Sequence, residues 1–135
     1  MKKLLSILCC AVILLTVSSC TKQYITPNPN QTVYANLASS DWTVYTDDAG
    51  NKAYQAPINV DAISGDFSAV GGVVVAISYD GGVTYEQLPE TYNNLAFSYT
   101  YNKGNVTLYA QEANGVLPTA APDPVKVKII LVDSN

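Results

Sequence analysis

The chain has 135 residues, 7 basic against 11 acidic residues, a formal charge of −4 and no histidine. Such a length predicts one domain. Without histidine there is no Ser–His or Cys–His nucleophile pair and no imidazole ligand for a metal. Every basic residue is a lysine, and an acidic chain without arginine is a poor nucleic-acid binder because phosphate contacts need clustered cations.

Residues 1–19 have the pattern of a secretory signal peptide. Lys2 and Lys3 precede a nearly uninterrupted apolar run over 4–17, which is shorter than the roughly 20 apolar residues of a membrane-spanning helix. Residues 17–20 read Val-Ser-Ser-Cys, which resembles the lipobox of bacterial lipoproteins. The resemblance implies cleavage before Cys20, with lipid on its thiol and on the new amino terminus. The alternative is an ordinary signal peptide with an accidental cysteine.

The cysteine count agrees with lipidation. The chain has 3 cysteines, Cys9, Cys10 and Cys20, and cleavage would leave Cys20 alone. A single unmodified thiol is a liability in an oxidising compartment. Acylation removes that liability and holds a protein to a bilayer with about 0.8 kcal/mol per buried CH₂. We therefore expect a membrane partner reached through lipid on Cys20, and we expect no cofactor.

Residues 20–40 are predicted to form an extended tether behind the lipidated cysteine. Prolines alternate with asparagines over 27–30 and apolar residues are scarce, so this stretch is not expected to pack. In some Gram-negative groups an acidic run after the lipidated cysteine routes lipoproteins to the cell surface. No acidic residue precedes Asp41 here. We therefore expect anchoring to the outer membrane, with the periplasmic face favoured over the surface.

Residues 41–135 have the period of two that is typical of half-buried β-strands. With a strand starting at Trp42, the pattern predicts about seven strands in a small antiparallel β-sandwich, or alternatively a partly closed barrel. Pro57 suggests an edge position, and a short helical turn is expected over 64–70 or 89–94. Four runs carry the alternating apolar positions: Tyr54, Ala56, Ile58 and Val60; Val73, Val75, Ile77 and Tyr79; Leu95, Phe97, Tyr99 and Tyr101; Val125, Val127, Ile129 and Leu131.

Two hairpins can be predicted at the level of register. A two-residue turn at 103–104 joins strands over 95–102 and 105–112, because only an even loop matches apolar residues throughout. This register pairs Tyr101 with Val106, Tyr99 with Leu108, and Phe97 with Ala110.

The second predicted hairpin joins 73–79 to 83–88 through Asp80-Gly81-Gly82. A three-residue loop would pair Tyr79 with Val83 and Ile77 with Tyr85. Gly82 would then adopt the left-handed conformation that such a loop requires.

These features together resemble small β-sandwich lipoproteins of the Bacteroidetes. The resemblance includes the lipobox, the Pro/Asn tether, the strand at Trp42, the turn over 79–82 followed by Leu88-Pro89, and the aliphatic last strand. It covers most of the mature chain. Because these motifs are structural, the resemblance implies a fold and a lipid anchor, and it transfers no functional residue.

Carboxylates offer the main route to catalysis in such a chain. Glu86 and Glu90 flank Leu88-Pro89, and Glu112 ends a predicted strand. Glycoside hydrolysis needs two carboxyl groups about 5–10 Å apart across a cleft, which a sandwich of this size rarely builds. We interpret these acids as surface charges that keep the domain soluble.

Asp47 and Asp48 lie in an Asp-Asp-Ala-Gly-Asn loop that also suggests calcium. Calcium requires six to eight oxygen ligands, and two carboxylates are too few unless other loops contribute. Asp, Gly and Asn are also the residues that a hairpin turn favours for its backbone, so no metal site is predicted.

Tyrosine is overrepresented, with 10 Tyr against 2 Phe and 1 Trp. Its apolar ring and polar hydroxyl suit sugar stacking and protein contacts, although Tyr is also simply a good strand former. The residues predicted to bind a ligand, if they are exposed, are Trp42, Tyr85 and Tyr109.

With no nucleophile–base pair in view, the chain is not predicted to be an enzyme. Two functions remain open. The first is a non-catalytic structural or protein-interaction module of the cell envelope. The second is a surface module that binds glycan or a host ligand through exposed Tyr and Trp.

Overall fold

A computed structural model describes residues 30–133, and these form two antiparallel sheets packed face to face. One sheet has four strands in the order β1-β9-β4-β5, and the other has five in the order β2-β3-β8-β7-β6. The predicted β-sandwich is confirmed, with nine strands and no closed barrel within 30–133. The strands are β1 (Gln31–Leu37), β2 (Thr43–Thr46), β3 (Lys52–Asn59), β4 (Gly72–Ser78), β5 (Glu86–Gln87), β6 (Glu90–Tyr92), β7 (Leu95–Asn102), β8 (Asn105–Glu112) and β9 (Val125–Val132).

The core lies between the two sheets and is made by the alternating apolar positions. Val75, Ile77, Val127 and Ile129 of the four-stranded sheet are fully enclosed. Burying one such side chain stabilises the fold by about 1.5–3 kcal/mol. The opposing side chains from the five-stranded sheet are Ala56, Val106, Leu108, Ala110 and Phe97.

The hairpin between β7 and β8 has the predicted register. Phe97 lies opposite Ala110, Tyr99 opposite Leu108, and Tyr101 opposite Val106. Gly104 in the turn has a φ of 79°, which a residue without Cβ adopts without strain. Apolar matching across the pair was therefore sufficient to predict both the loop length and the facing residues.

The predicted hairpin between β4 and β5 is wrong by one residue. Ile77 pairs with Glu86 instead of Tyr85, and the connection runs over 79–85. The reason is Asp80, whose Oδ1 accepts hydrogen bonds from the Ser78 hydroxyl at 2.7 Å and from the Thr84 amide at 2.9 Å. These side-chain bonds stabilise a wider loop than backbone pairing alone would form. The left-handed conformation predicted for Gly82 is confirmed, with a φ of 100°.

The predicted tether over 20–40 is wrong at its carboxyl-terminal end, because a strand of the folded domain begins within it. Gln31–Leu37 forms β1, which pairs with β9 along its whole length, from Gln31 opposite Leu131 to Leu37 opposite Val125. Val33, Ala35 and Leu37 turn toward the core. The folded domain therefore begins about ten residues before the predicted boundary at 41. Residues 1–29, which include the predicted signal peptide, Cys20 and most of the tether, lie outside the described part.

The two predicted helical turns and the edge position predicted for Pro57 have different outcomes. The helical turn over 64–70 is confirmed as α1 (Gly65–Val70), and the Ser64 hydroxyl accepts a hydrogen bond from the Phe67 amide. The alternative turn over 89–94 is instead β6. Pro57 lies in β3, the second strand of its sheet, at a point where β2 no longer pairs with it. Its missing N–H therefore faces no partner strand in the five-stranded sheet.

Candidate binding surfaces

Trp42 is not on the surface, which corrects its assignment as a ligand-binding residue. It is 5% exposed and packs edge-on against Phe97, with ring centroids 6.2 Å apart. A short 3-10 turn, Ser39–Asp41, directs the chain into the core at this point, and the Asp41 carboxylate accepts a hydrogen bond from the Ala38 amide. The indole nitrogen has no hydrogen-bond partner within 30–133. Trp42 is therefore a core residue.

Tyr85 lies on the outer face of the four-stranded sheet. The Lys128 Nζ lies 4.2 Å from the centroid of its ring, a distance typical of a cation–π contact. Tyr34 of β1 lies directly opposite Lys128 in the sheet and is 64% exposed, and its ring centroid is 6.4 Å from that of Tyr85. These three side chains form one small aromatic and basic cluster.

Tyr109 lies on the outer face of the other sheet. Its ring packs edge-on against Tyr45 of β2, with centroids 5.6 Å apart and planes inclined at 60°. Gln55 and Ser98 flank Tyr109 on the neighbouring strands. Because the two sheets present their outer faces in opposite directions, Tyr85 and Tyr109 cannot contribute to a single binding site.

The outer face of the five-stranded sheet carries no charged side chain, and we call it the neutral face. Alternation along each strand assigns its members, because most of the intervening residues fill the core. The charged residues of these strands, Lys52, Glu90 and Glu112, have the core-side parity and lie near strand ends. Hydroxyl and amide groups dominate this face around the Tyr45–Tyr109 pair. Its residues are Thr43, Tyr45, Ala53, Gln55, Pro57, Asn59, Thr91, Ala96, Ser98, Thr100, Asn102, Asn105, Thr107, Tyr109 and Gln111.

Other tyrosines hold the sandwich together. The Tyr99 hydroxyl donates to the Val73 carbonyl at 2.6 Å, and the Tyr101 hydroxyl donates to the Gly71 carbonyl at 3.4 Å. Both bonds connect β7 to the opposite layer. Some tyrosines are therefore present for structural reasons, and within residues 30–133 no single surface patch gathers the tyrosines.

One end of the sandwich has a cleft that the sequence did not predict. Two adjoining hollows, about 130 and 400 Å³ in volume, share Asn93, Leu95, Pro122 and Asp123. We call this region the end cleft. Its residues come from the turn after β6 and from the long connection before β9, which are far apart in the sequence. No periodic pattern marks such a meeting of loops.

The end cleft borders a half-buried polar pair, Tyr79 and Glu90. Tyr79 stacks on Tyr92 with ring centroids 3.8 Å apart, and its hydroxyl donates to Glu90 Oε1 at 2.8 Å. Burial raises the pKa of Glu90 above its ordinary value, and the adjacent Glu86 carboxyl raises it further. Burial also raises the pKa of the Tyr79 hydroxyl, which therefore acts as a hydrogen-bond donor.

The Asp47 loop has the geometry of a turn between β2 and β3. Asp47 Oδ1 accepts hydrogen bonds from the Ala49 and Asn51 amides, and Oδ2 accepts from Asn51 Nδ2 at 2.8 Å. The bond from the Asn51 side chain is the main reason that the pKa of Asp47 is lowered. Across residues 30–133, no group of three or more His, Cys, Asp or Glu is arranged to hold a metal ion.

No protein family, curated protein or solved structure matches this chain. Of the part that the structure describes, no helix is both long and apolar enough to span a bilayer. The fold of residues 30–133 defines the class as a small antiparallel β-sandwich with a neutral outer face on one sheet.

Proposed function

We propose that this chain is a lipid-anchored, non-catalytic binding module of the cell envelope, and that the neutral face is its ligand-binding surface. The lipobox-like residues 17–20 and the Pro/Asn stretch that follows support the anchor. Together with the sandwich fold, they agree with the resemblance to small Bacteroidetes lipoproteins. The outer membrane is the proposed location.

The observation that carries the proposal is the absence of charge on the neutral face. All 11 acidic residues of the chain fall within 30–133, yet none points outward from the five-stranded sheet. A solvent-facing sheet surface ordinarily carries charged side chains. Depletion of charge together with enrichment in tyrosine is the composition found at recognition surfaces.

The chemistry of the neutral face favours an uncharged glycan as ligand. Thr, Ser, Asn and Gln side chains provide both donors and acceptors for sugar hydroxyls. The Tyr45–Tyr109 pair provides apolar ring surface with polar tips. The end cleft is less suitable because Glu112 and Asp123 line it and because Tyr79 already covers one face of the Tyr92 ring.

The test is affinity electrophoresis of the purified lipoprotein on a panel of neutral polysaccharides. Replacing both Tyr45 and Tyr109 with Ala is expected to weaken binding at least about tenfold, which corresponds to 1.4 kcal/mol. The matched control replaces Tyr34 and Tyr85 with Ala on the other outer face and is expected to retain binding. Equal losses from both double variants, or no retention on any polysaccharide, would contradict the proposal.

A protein ligand is the second candidate, and one specific observation favours it. The outer edge of β1 is long and has no partner strand in the described part of the chain. If the ligand is a protein, cross-linking in intact envelopes would capture it, and none of the neutral polysaccharides would bind.

A further inference from the structure

The four sheet edges of the sandwich differ in length. Three of them are short, since β2, β5 and β6 have four, two and three residues. The fourth edge, β1, has seven residues. An exposed edge strand presents a row of N–H and C=O groups that can pair with another strand, and short edges limit this hazard.

Strand β1 has none of the other features that protect an edge. Its sequence, Gln-Thr-Val-Tyr-Ala-Asn-Leu, contains no lysine, proline, glycine or acidic residue. Its pairing with β9 runs residue for residue without a bulge. Within residues 30–133, nothing pairs with its other side. The edge is therefore flat, uncharged and long enough to accept a further strand.

We propose that two copies of this chain associate by pairing β1 with β1 of the partner, antiparallel and centred on Tyr34. The two four-stranded sheets would then become one continuous sheet of eight strands. An antiparallel pairing of identical strands has two-fold symmetry, which is the commonest symmetry of homodimers. Seven paired residues would form roughly six to eight new backbone hydrogen bonds.

The sequence of β1 is self-complementary about Tyr34. In this register Val33 lies opposite the partner's Ala35 on the core side of the sheet. Thr32 lies opposite the partner's Asn36 on the outer side, where Tyr34 meets the partner's Tyr34. Over the five central residues, apolar residues therefore face apolar ones and polar residues face polar ones, which favours this register. The end pairs are mixed, because Gln31 lies opposite the partner's Leu37. A shift by one residue would place core-side residues of one copy beside outer-face residues of the other.

Electrostatics permits the pairing even though the domain is acidic. No residue of β1 is charged. The nearest outward charges in the sheet are Lys126 and Lys128 on β9, one strand away from the edge. Across the dimer, each Lys128 and the partner's Lys128 would be three strand spacings apart, about 14 Å. That distance exceeds the screening length of about 8 Å at physiological ionic strength.

Cysteine cross-linking of the full-length lipoprotein in cells tests both the partner and the register. Tyr34→Cys places two thiols at the two-fold centre, where facing Cβ atoms are about 4.5–5.5 Å apart. A short thiol-reactive cross-linker is expected to give a band at twice the monomer mass. Thr32→Cys alone and Asn36→Cys alone are expected to give none, because each would lie four residues, about 14 Å, from its own copy. Thr32→Cys co-expressed with Asn36→Cys is expected to restore the band.

The matched surface control is Tyr109→Cys, which lies on the neutral face and is expected to give no dimer. Tyr34→Lys is a second variant that tests the same contact by charge. Combined with the Thr32→Cys and Asn36→Cys pair, it is expected to abolish their cross-link. At a dilution at which both proteins are monomeric, its thermal unfolding should match that of the unmodified protein because residue 34 is exposed. The proposal fails if Tyr34→Cys gives no dimer, if the single Thr32 and Asn36 variants cross-link equally well, or if the band contains another protein.

Discussion

Tyr99 and Val73 join the two sheets of the sandwich by a hydrogen bond from the phenolic hydroxyl to the Val73 carbonyl at 2.6 Å. We expect Tyr99→Phe to lower the free energy of unfolding by about 0.5–1.5 kcal/mol, because the buried carbonyl loses its donor. Urea unfolding measures the change. Tyr54→Phe is the matched control, since the Tyr54 hydroxyl makes no hydrogen bond within 30–133, and it should stay within a few tenths of a kcal/mol.

Trp42 gives a test of the core. Trp42→Ala is expected to cost about 3–5 kcal/mol, a large share of a typical domain stability of about 5–15 kcal/mol. Trp42→Phe should cost less, because it keeps aromatic volume and removes an indole N–H that lacks a partner. Thermal unfolding followed by circular dichroism provides the comparison. Val83→Ala, at an 85% exposed position, should be nearly neutral, and a similar result for Trp42→Ala would contradict its burial.

Glu90 makes stability depend on pH in one direction. Its pKa is raised in the fold by partial burial and by Glu86. The stability that protonated Glu90 contributes is therefore complete below the unfolded pKa near 4.5 and is lost as the pH rises through the folded pKa. Glu90→Gln keeps an acceptor for the Tyr79 hydroxyl and removes the charge. We expect this variant to be more stable than the parent at pH 7, by less than about 1 kcal/mol because the group is partly exposed. The gain should vanish below pH 4 in a melting series.

Asp80 acts in the opposite direction. Hydrogen bonds from the Thr84 amide and the Ser78 hydroxyl hold its pKa below the ordinary value of 3.8. The stability that the Asp80 carboxylate contributes is therefore present above the unfolded pKa and is lost as the pH falls through the folded pKa. We expect Asp80→Asn to be less stable than the parent at pH 7, with the difference shrinking as the pH approaches 3.

The control for that series is Asp48→Asn, whose carboxylate accepts no hydrogen bond in the described part of the chain. It should follow the parent at every pH. A constant deficit for Asp80→Asn between pH 3 and 7 would show that the Asp80 charge is not what stabilises the loop.

Cys20 gives the test of the anchor. Cys20→Ser is expected to move the protein from the membrane fraction to the soluble envelope fraction and to abolish incorporation of labelled fatty acid, because a serine does not accept the thioether-linked lipid. Cys10→Ser, inside the predicted signal peptide, should leave both readouts unchanged. A parent protein that incorporates no labelled fatty acid and is already found in the soluble envelope fraction would favour an ordinary signal peptide.

Sequence reasoning succeeded where side-chain alternation alone decides the structure. The register of β7 and β8 follows from matching Phe97, Tyr99 and Tyr101 with apolar partners. It failed where one side chain changes the backbone, as Asp80 does in the loop over 79–85. It also failed for β1, whose Gln, Thr and Asn made a strand resemble the tether that precedes it.

The surfaces were harder to predict than the strands. Trp42 was assigned to the surface because a single aromatic residue has no period to show which way it points. The neutral face could have been derived from the outward positions of β3, β7 and β8, but only after their order in one sheet was known. The end cleft depends on two loops whose meeting no local pattern encodes.

Strand β9 lies between β1 and β4, and both of these make their ladders with it. The four-stranded sheet therefore cannot assemble during synthesis until residues 125–132 have been made. Until then β4 can pair only with the two-residue strand β5, and β1 has no partner strand within 30–133. Pairing β1 with β9 also closes a loop of roughly ninety residues, which costs entropy. For a chain that we propose to be exported, this order of events would delay completion of the four-stranded sheet until the carboxyl-terminal strand is available.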